Sequence, residues 1–146
     1  MEPVFEPVLT MTDYYDGPRR GLANFKGVPH LFESQRKDID ADGSDVFLLT
    51  PIPPNVVALA LEDWEIWLRW EKAFHSGETP QNTHPALPED RQRHEELAVE
   101  LSRQLVTDHS RAITAKGEFR VPATSVKNFG WRELEVQWRP VIGGGG

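Results

Sequence analysis

The sequence predicts an α+β fold, a mostly antiparallel small curled sheet or SH3-like barrel packed on two helices. Three observations carry that expectation. Short strand-like runs joined by hairpin signals fill the N-terminal third, two helical patterns follow, and a clear alternating strand returns near the C-terminus. Sequential strands with hairpin-type neighbours favour an antiparallel sheet with its helices segregated to one side.

Taken in order, Val4–Met11 reads as a first strand, with Pro7 suited to an edge. Gly17-Pro18 signals a turn, and Gly21 permits a second bend or a bulge. Gly21–Phe25 and Val28–Gln35 form a β-hairpin about Lys26-Gly27, where the glycine tolerates positive φ. On its second strand Val28, His30 and Phe32 share one face, and Leu31 and Glu33 the other. Lys37–Ser44 is an acidic loop, and the apolar run Val46–Leu49 reads as a central strand closed by Pro51, Pro53 and Pro54.

The first helix is expected from about Val56 to His75, capped by Asn55. At 100° per residue, Val57, Leu61, Trp64 and Leu68 fall in a narrow stripe, and Ala60, Ile66, Trp67, Trp70 and Phe74 widen it past half the circumference. So wide an arc predicts a helix buried on most sides, forming the principal core with strands around it. Gly77–Pro85 is a polar loop. Pro88, followed by Glu89 and Asp90, opens a second helix to about Val106, with the narrow stripe His94, Leu97, Leu101 and Leu105 docked and the rest solvated. Asp108–Lys116 gives no clear signal, and Glu118–Val121 suggests a strand. In Arg132–Arg139, Leu134, Val136 and Trp138 alternate with Glu133, Glu135, Gln137 and Arg139, one face in and one out.

The chain of 146 residues has the length of one ordinary domain, expected here over residues 1–142, with Gly143–Gly146 as a flexible tail. A hydrophobic fraction of 38% with five Trp and seven Phe is enough to build a core. The formal net charge of −7 argues against nucleic acid and against anionic membrane surfaces as partners. No basic n-region precedes an apolar run at the N-terminus, and no apolar run is long enough to span a bilayer. The absence of cysteine removes disulfides and thiolate chemistry, and it fits a cytoplasmic, reducing setting.

Four groups of residues could carry function. The first is Tyr14-Tyr15-Asp16-Gly17-Pro18-Arg19-Arg20-Gly21, with His30 and Glu33 from the hairpin. Turn glycines let backbone approach a ligand, and paired arginines bind carboxylate or phosphate in a fork. The competing reading is a turn stapled by its own side chains, with His30 a core histidine beside Phe32. The second, Asp38-x-Asp40-x-Asp42-Gly43, matches the opening of a calcium loop, but the closing Glu falls at Leu49, so an acidic connecting loop is the better reading. Third, Asp63 and Glu71 lie within the apolar arc of the first helix and need partners, for which Arg19 and Arg20 are candidates. Fourth, Trp64, Trp67 and Trp70 recur at helical spacing; they read as core, with Trp70 the most exposed.

The five histidines show no ligand spacing, and no phosphate loop, nucleophile elbow or dinucleotide fingerprint is present. The sequence therefore predicts no cofactor, no resident metal and no catalytic constellation. The segment Asp13–Gly21 followed by Gly27-Val28-Pro29-His30 resembles the opening of a family of small uncharacterised bacterial proteins. That resemblance covers about the first quarter of the chain and implies a bacterial setting but no activity.

The expected role is a cytoplasmic binding or regulatory module that takes a protein or a small anionic ligand through Tyr14, Tyr15, Asp16, Arg19, Arg20, His30 and Trp70. The rival is a small enzyme acting on an anionic molecule with Asp63, Glu71 or His30 as acid–base group and an arginine as anchor. Self-association as a homodimer, through Trp70 or the second helix, is the third reading.

Overall fold

Strand-forming segments of this chain pair with one another into a closed sheet. The computed structural model describes residues 4–14, 17–35, 45–122 and 134–141. Two compact units emerge, one from residues 1–52 and 107–146, the other from Pro53–Val106. Together they hold a closed six-stranded antiparallel barrel and two α-helices, an α+β fold.

The barrel contains β1 (Glu6–Tyr14), β2 (Pro18–Phe25), β3 (Val28–Ser34), β4 (Val46–Pro51), β5 (Ile113–Arg120) and β6 (Glu135–Pro140). Each strand pairs with the next in sequence, and β6 returns to β1. The β2–β3 hairpin turns on Lys26 and Gly27, with φ of 53° and 77°. Positive φ at both central residues gives the primed turn whose twist suits a two-residue hairpin. The pairing Gly21↔Phe32↔Leu49↔Ile113 crosses four strands, so those residues share a face. In β6 the partners Gly117↔Trp138 and Phe119↔Val136 continue that inward set.

The barrel interior is filled by rings. Phe32, Phe47, Phe119 and Trp138 come one each from β3, β4, β5 and β6, and every pair among them lies 5.5–5.9 Å apart between centroids. Their tilted and edge-on arrangements suit the aromatic quadrupole. Trp138 also donates its Nε1–H to the Asn24 carbonyl at 3.1 Å, bracing β6 to β2. Two glycines make room for this packing. A Cβ on Gly117 would fall 2.6 Å from the Trp138 ring, and one on Gly21 would fall 2.2 Å from the Thr10 carbonyl oxygen.

The second unit is inserted between β4 and β5. It holds α1 (Pro54–His75) and α2 (Arg91–Gln104), joined by two short 3-10 turns, Gln81–Thr83 and Pro88–Asp90. Helix α1 begins on Pro53 and Pro54, whose fixed φ is already helical and whose missing N–H would have no helical partner. Asn55 is inside the helix and no side chain caps the start, contrary to the expected cap. The helix ends where Gly77 takes φ 81° and Glu78 N–H reaches back to the Ala73 carbonyl at 2.8 Å, a Schellman closure. Ile66, Ala86 and Leu97, with Leu59 and Leu101 packed beside them, form this unit's core. Of the expected stripe His94, Leu97, Leu101 and Leu105, Leu97 and Leu101 pack in this core, Leu105 is buried and His94 is half-buried.

Several expectations change. The strands close on an aromatic interior of their own, where the principal core was expected around α1. β2 starts at Pro18 rather than Gly21, and β5 starts at Ile113, taking in a stretch whose sequence gave no clear signal. Gln137, expected outward and solvated, is 9% exposed, so β6 is buried on both faces at that point. Lys37–Ser44, the Arg132–Glu133 start of the last strand and Gly143–Gly146 lie outside the described residues. No helix among the described residues is long and apolar enough to cross a membrane.

Candidate functional site

The tip of the β1–β2 hairpin carries the residues that the sequence groups first. Tyr14 ends β1 opposite Pro18 and is 44% exposed. Tyr15 and Asp16 lie outside the described residues. The β1–β2 register slips here, from Asp13↔Arg20 to Tyr14↔Pro18, which leaves Arg19 opposite no β1 residue. Arg19 is buried at 8% and meets Asp45 with Nη1–Oδ2 at 2.8 Å. Arg20 stands on the outer face, across from Glu33, with Nε–Oε2 at 3.5 Å. Glu33 also accepts from the Thr107 hydroxyl at 2.8 Å, so one carboxylate ties β2, β3 and the entry to β5 together.

His30 lies further along the same strand pair. It pairs with Ala23, two residues past the Gly21↔Phe32 pairing, whereas Arg19 precedes Gly21 by two. The ring is buried at 6% and lies edge-on to Phe25 at 5.4 Å rather than against Phe32. Its Nδ1 is 2.7 Å from the Val28 carbonyl. A carbonyl only accepts, so Nδ1 carries the proton of this bond. Arg19 and His30 are thus held four register positions apart along the β2–β3 pair.

Downstream of Glu33's clasp, Asp108 N–H donates to Thr50 Oγ1 at 3.2 Å. Asp108 accepts from both the hydroxyl and the N–H of Ser110, and these bonds hold its carboxyl below the usual range.

In the helical unit, Trp70 is 5% exposed, which corrects the expectation that it is the exposed tryptophan. It stacks on Phe74 at 5.0 Å and receives His84 edge-on at 4.6 Å. Its Nε1–H donates to Thr83 Oγ1 at 2.8 Å. Thr83 donates its own proton to the Pro80 carbonyl at 2.6 Å and accepts from Thr79 at 2.6 Å. One donor and two acceptor sites of that hydroxyl are then all used. The Gly77–Pro85 loop folds over Trp70 because of this hub, and helical periodicity cannot show it. Trp64 and Trp67 stack on each other at 5.0 Å and are half-buried.

Asp63 is met by His94, Nδ1–Oδ1 at 2.7 Å, rather than by an arginine. Glu71 is buried at 6%, with His75 Nε2 3.5 Å from Oε1 one turn along. Arg93 clamps Glu62 with bonds of 2.6 and 2.7 Å, and Arg69 clamps Asp90 with two of 3.0 Å. Hydrogen bonding from Arg93 lowers the Glu62 carboxyl below its ordinary value, and Asp90 raises Arg69.

The partners Asp45, His94, Thr83 and Thr107 were not singled out for these roles by the sequence. Their separations in the chain, 26 residues for Arg19–Asp45 and 31 for Asp63–His94, leave no local signature. Among the described residues no group of three or more His, Asp or Glu side chains is arranged to hold a metal ion. Comparisons of the chain with protein-family models, with curated proteins and with solved structures gave no match.

Proposed function

We propose that this chain is a non-enzymatic binding module whose contact surface is the β1–β2 hairpin tip, read through Tyr14 and Arg20. The observation that carries the proposal is the 44% exposure of Tyr14, against a barrel interior filled by Phe32, Phe47, Phe119 and Trp138. Tyr and Arg are the residues that supply interface energy most often, because a rigid ring and a fork of donors bind at low entropic cost. Arg20 supports an anionic or acidic partner, since its guanidinium is steadied by Glu33 while remaining partly exposed. A binding role is favoured over catalysis because the acid–base candidates are spread out. In the barrel unit, His30 and Arg19 lie four register positions apart; in the helical unit, Asp63 is engaged by His94. We place the module in the cytoplasm of a bacterium, on the cysteine-free composition and the resemblance of its opening segment.

The test compares capture of cellular partners, read by mass spectrometry, and a thermal-shift panel of small anions, for wild type and the Tyr14→Ala/Arg20→Ala double variant. Loss of one reproducible partner or anion, with melting unchanged, supports the proposal. An unchanged profile refutes it. Arg19 is unsuited to this test: its removal strips a buried ion pair from Asp45 and is expected to cost about 2 kcal/mol of stability. Arg20→Ala, on the surface, is expected to stay within about 0.5 kcal/mol.

A further inference from the structure

Strand β1 enters the barrel through a stretch with little apolar burial. Val4 is 70% exposed, Pro7 is exposed, and Phe5, Glu6 and Val8 are half-buried. Polar contacts hold it instead. Glu6 sets both carboxylate oxygens on the β2–β3 turn, accepting from the N–H of Lys26 at 2.9 Å and of Gly27 at 2.7 Å. Consecutive positive φ values turn those two N–H groups toward one side, the concave arrangement that receives anions. Beside it, the Phe5 ring lies 3.5 Å from the Arg120 guanidinium carbon, and Arg120 pairs with Glu135 of β6. The ladder to β6 adds Glu6↔Val136 and Pro7↔Glu135, and the Val8 N–H donates to the Leu134 carbonyl at 3.1 Å. Pro7 has no N–H to contribute.

We propose that residues 5–8 form a strap that closes the barrel seam, latched by the Glu6 carboxylate, and that this strap lifts while the other strands stay folded. Local opening draws on segments with few buried apolar contacts and solvent-exposed hydrogen bonds, and this is such a segment. The strap supplies none of the four rings of the barrel's cluster, which belong to β3–β6. Lifting the strap returns Glu6 and the turn amides to water and leaves Ala23, Glu135 and Val136 without their β1 neighbours.

Native-state hydrogen exchange on the full chain tests the strap. Glu6→Gln keeps the side-chain shape and one acceptor oxygen but loses the charge and the second acceptor. The Val8 amide is expected to exchange about tenfold faster, equivalent to about 1.4 kcal/mol, while the Leu31 and Leu49 amides keep their wild-type rates. Phe5→Leu, which leaves Glu6 intact and removes the Arg120 contact, is expected to give the same selective acceleration. Wild-type exchange at Val8 in both variants overturns the proposal. So does acceleration of Leu31 and Leu49 in step with Val8, or failure of Glu6→Gln to fold, since either makes the segment inseparable from the barrel.

Discussion

Placing a methyl group on Gly21 should injure the barrel more than any other change of equal size. The added Cβ would lie 2.2 Å from the Thr10 carbonyl oxygen and 3.0 Å from the tip of the Phe32 ring. Carbon and oxygen settle at roughly 3.3 Å, so β1 must retreat by about 1 Å. That retreat stretches the Met11↔Gly21 and Thr10↔Leu22 pairings and the 3.1 Å bond from Leu22 N–H to Thr10 Oγ1. Two such bonds at about 1 kcal/mol each, with about 1 kcal/mol for crowding Phe32, give a loss near 3 kcal/mol. Gly117→Ala is the control. Its clash, 2.6 Å to Trp138, is with a side chain rather than backbone. Because Trp138 is tethered to Asn24, the ring yields only partly, and about 2 kcal/mol is expected. Urea denaturation read from the amide cross-peaks of the barrel strands measures both. Gly21→Ala falling within 1 kcal/mol of wild type, or proving milder than Gly117→Ala, would refute the packing argument.

Two further outcomes concern the helical unit. Trp70→Phe keeps a ring beside Phe74 but removes the donor to Thr83, and should cost about 2 kcal/mol, seen as a lower urea midpoint in the 222 nm helix signal. Acid should weaken the same unit through Glu62. Its carboxyl titrates below the ordinary 4.5 when folded because Arg93 donates to it. Such a group contributes stability above its unfolded value and loses that contribution as pH falls through the folded one. The urea midpoint should therefore drop on the acid side of 4.5, by a small amount because Glu62 and Arg93 are both widely exposed. Arg93→Gln, or added salt, should flatten the drop.

Local chemistry made part of this architecture readable. Lys26-Gly27 between alternating runs is a hairpin because only a primed turn fits two residues there, and the apolar run Val46–Leu49 is a central strand as its composition says. The α1 pattern foretold a helix, but its narrow stripe was misplaced, since Leu61 is exposed and Trp64 and Leu68 are half-buried, and nothing in it foretold that the strands would have a core of their own. Elsewhere, residues were read by their usual habits and then used otherwise. Gly117 looks like a strand breaker, yet it is the gap into which Trp138 packs, so β5 runs through it. Pro18 and two arginines look like a loop, but pairing with β1 and β3 makes them strand. The outward assignment of Gln137 assumed a sheet wet on one face. Of the candidate surface, the exposed Tyr14 and the arginine pair were visible in the sequence. Which arginine is buried was not, because Asp45 and Glu33 reach them only once the barrel has closed.

The helical unit leaves the barrel after β4 and returns into β5, and those two strands are themselves partners, with Leu49 facing Ile113. Topologically, the whole Pro53–Val106 excursion is an oversized hairpin loop whose exit and re-entry share one doorway. Lengthening a connection taxes folding only logarithmically, about 0.6 kcal/mol per doubling. The β4–β5 pairing thus tolerates an excursion of this length, because closing the longer connection costs little more than closing a short one.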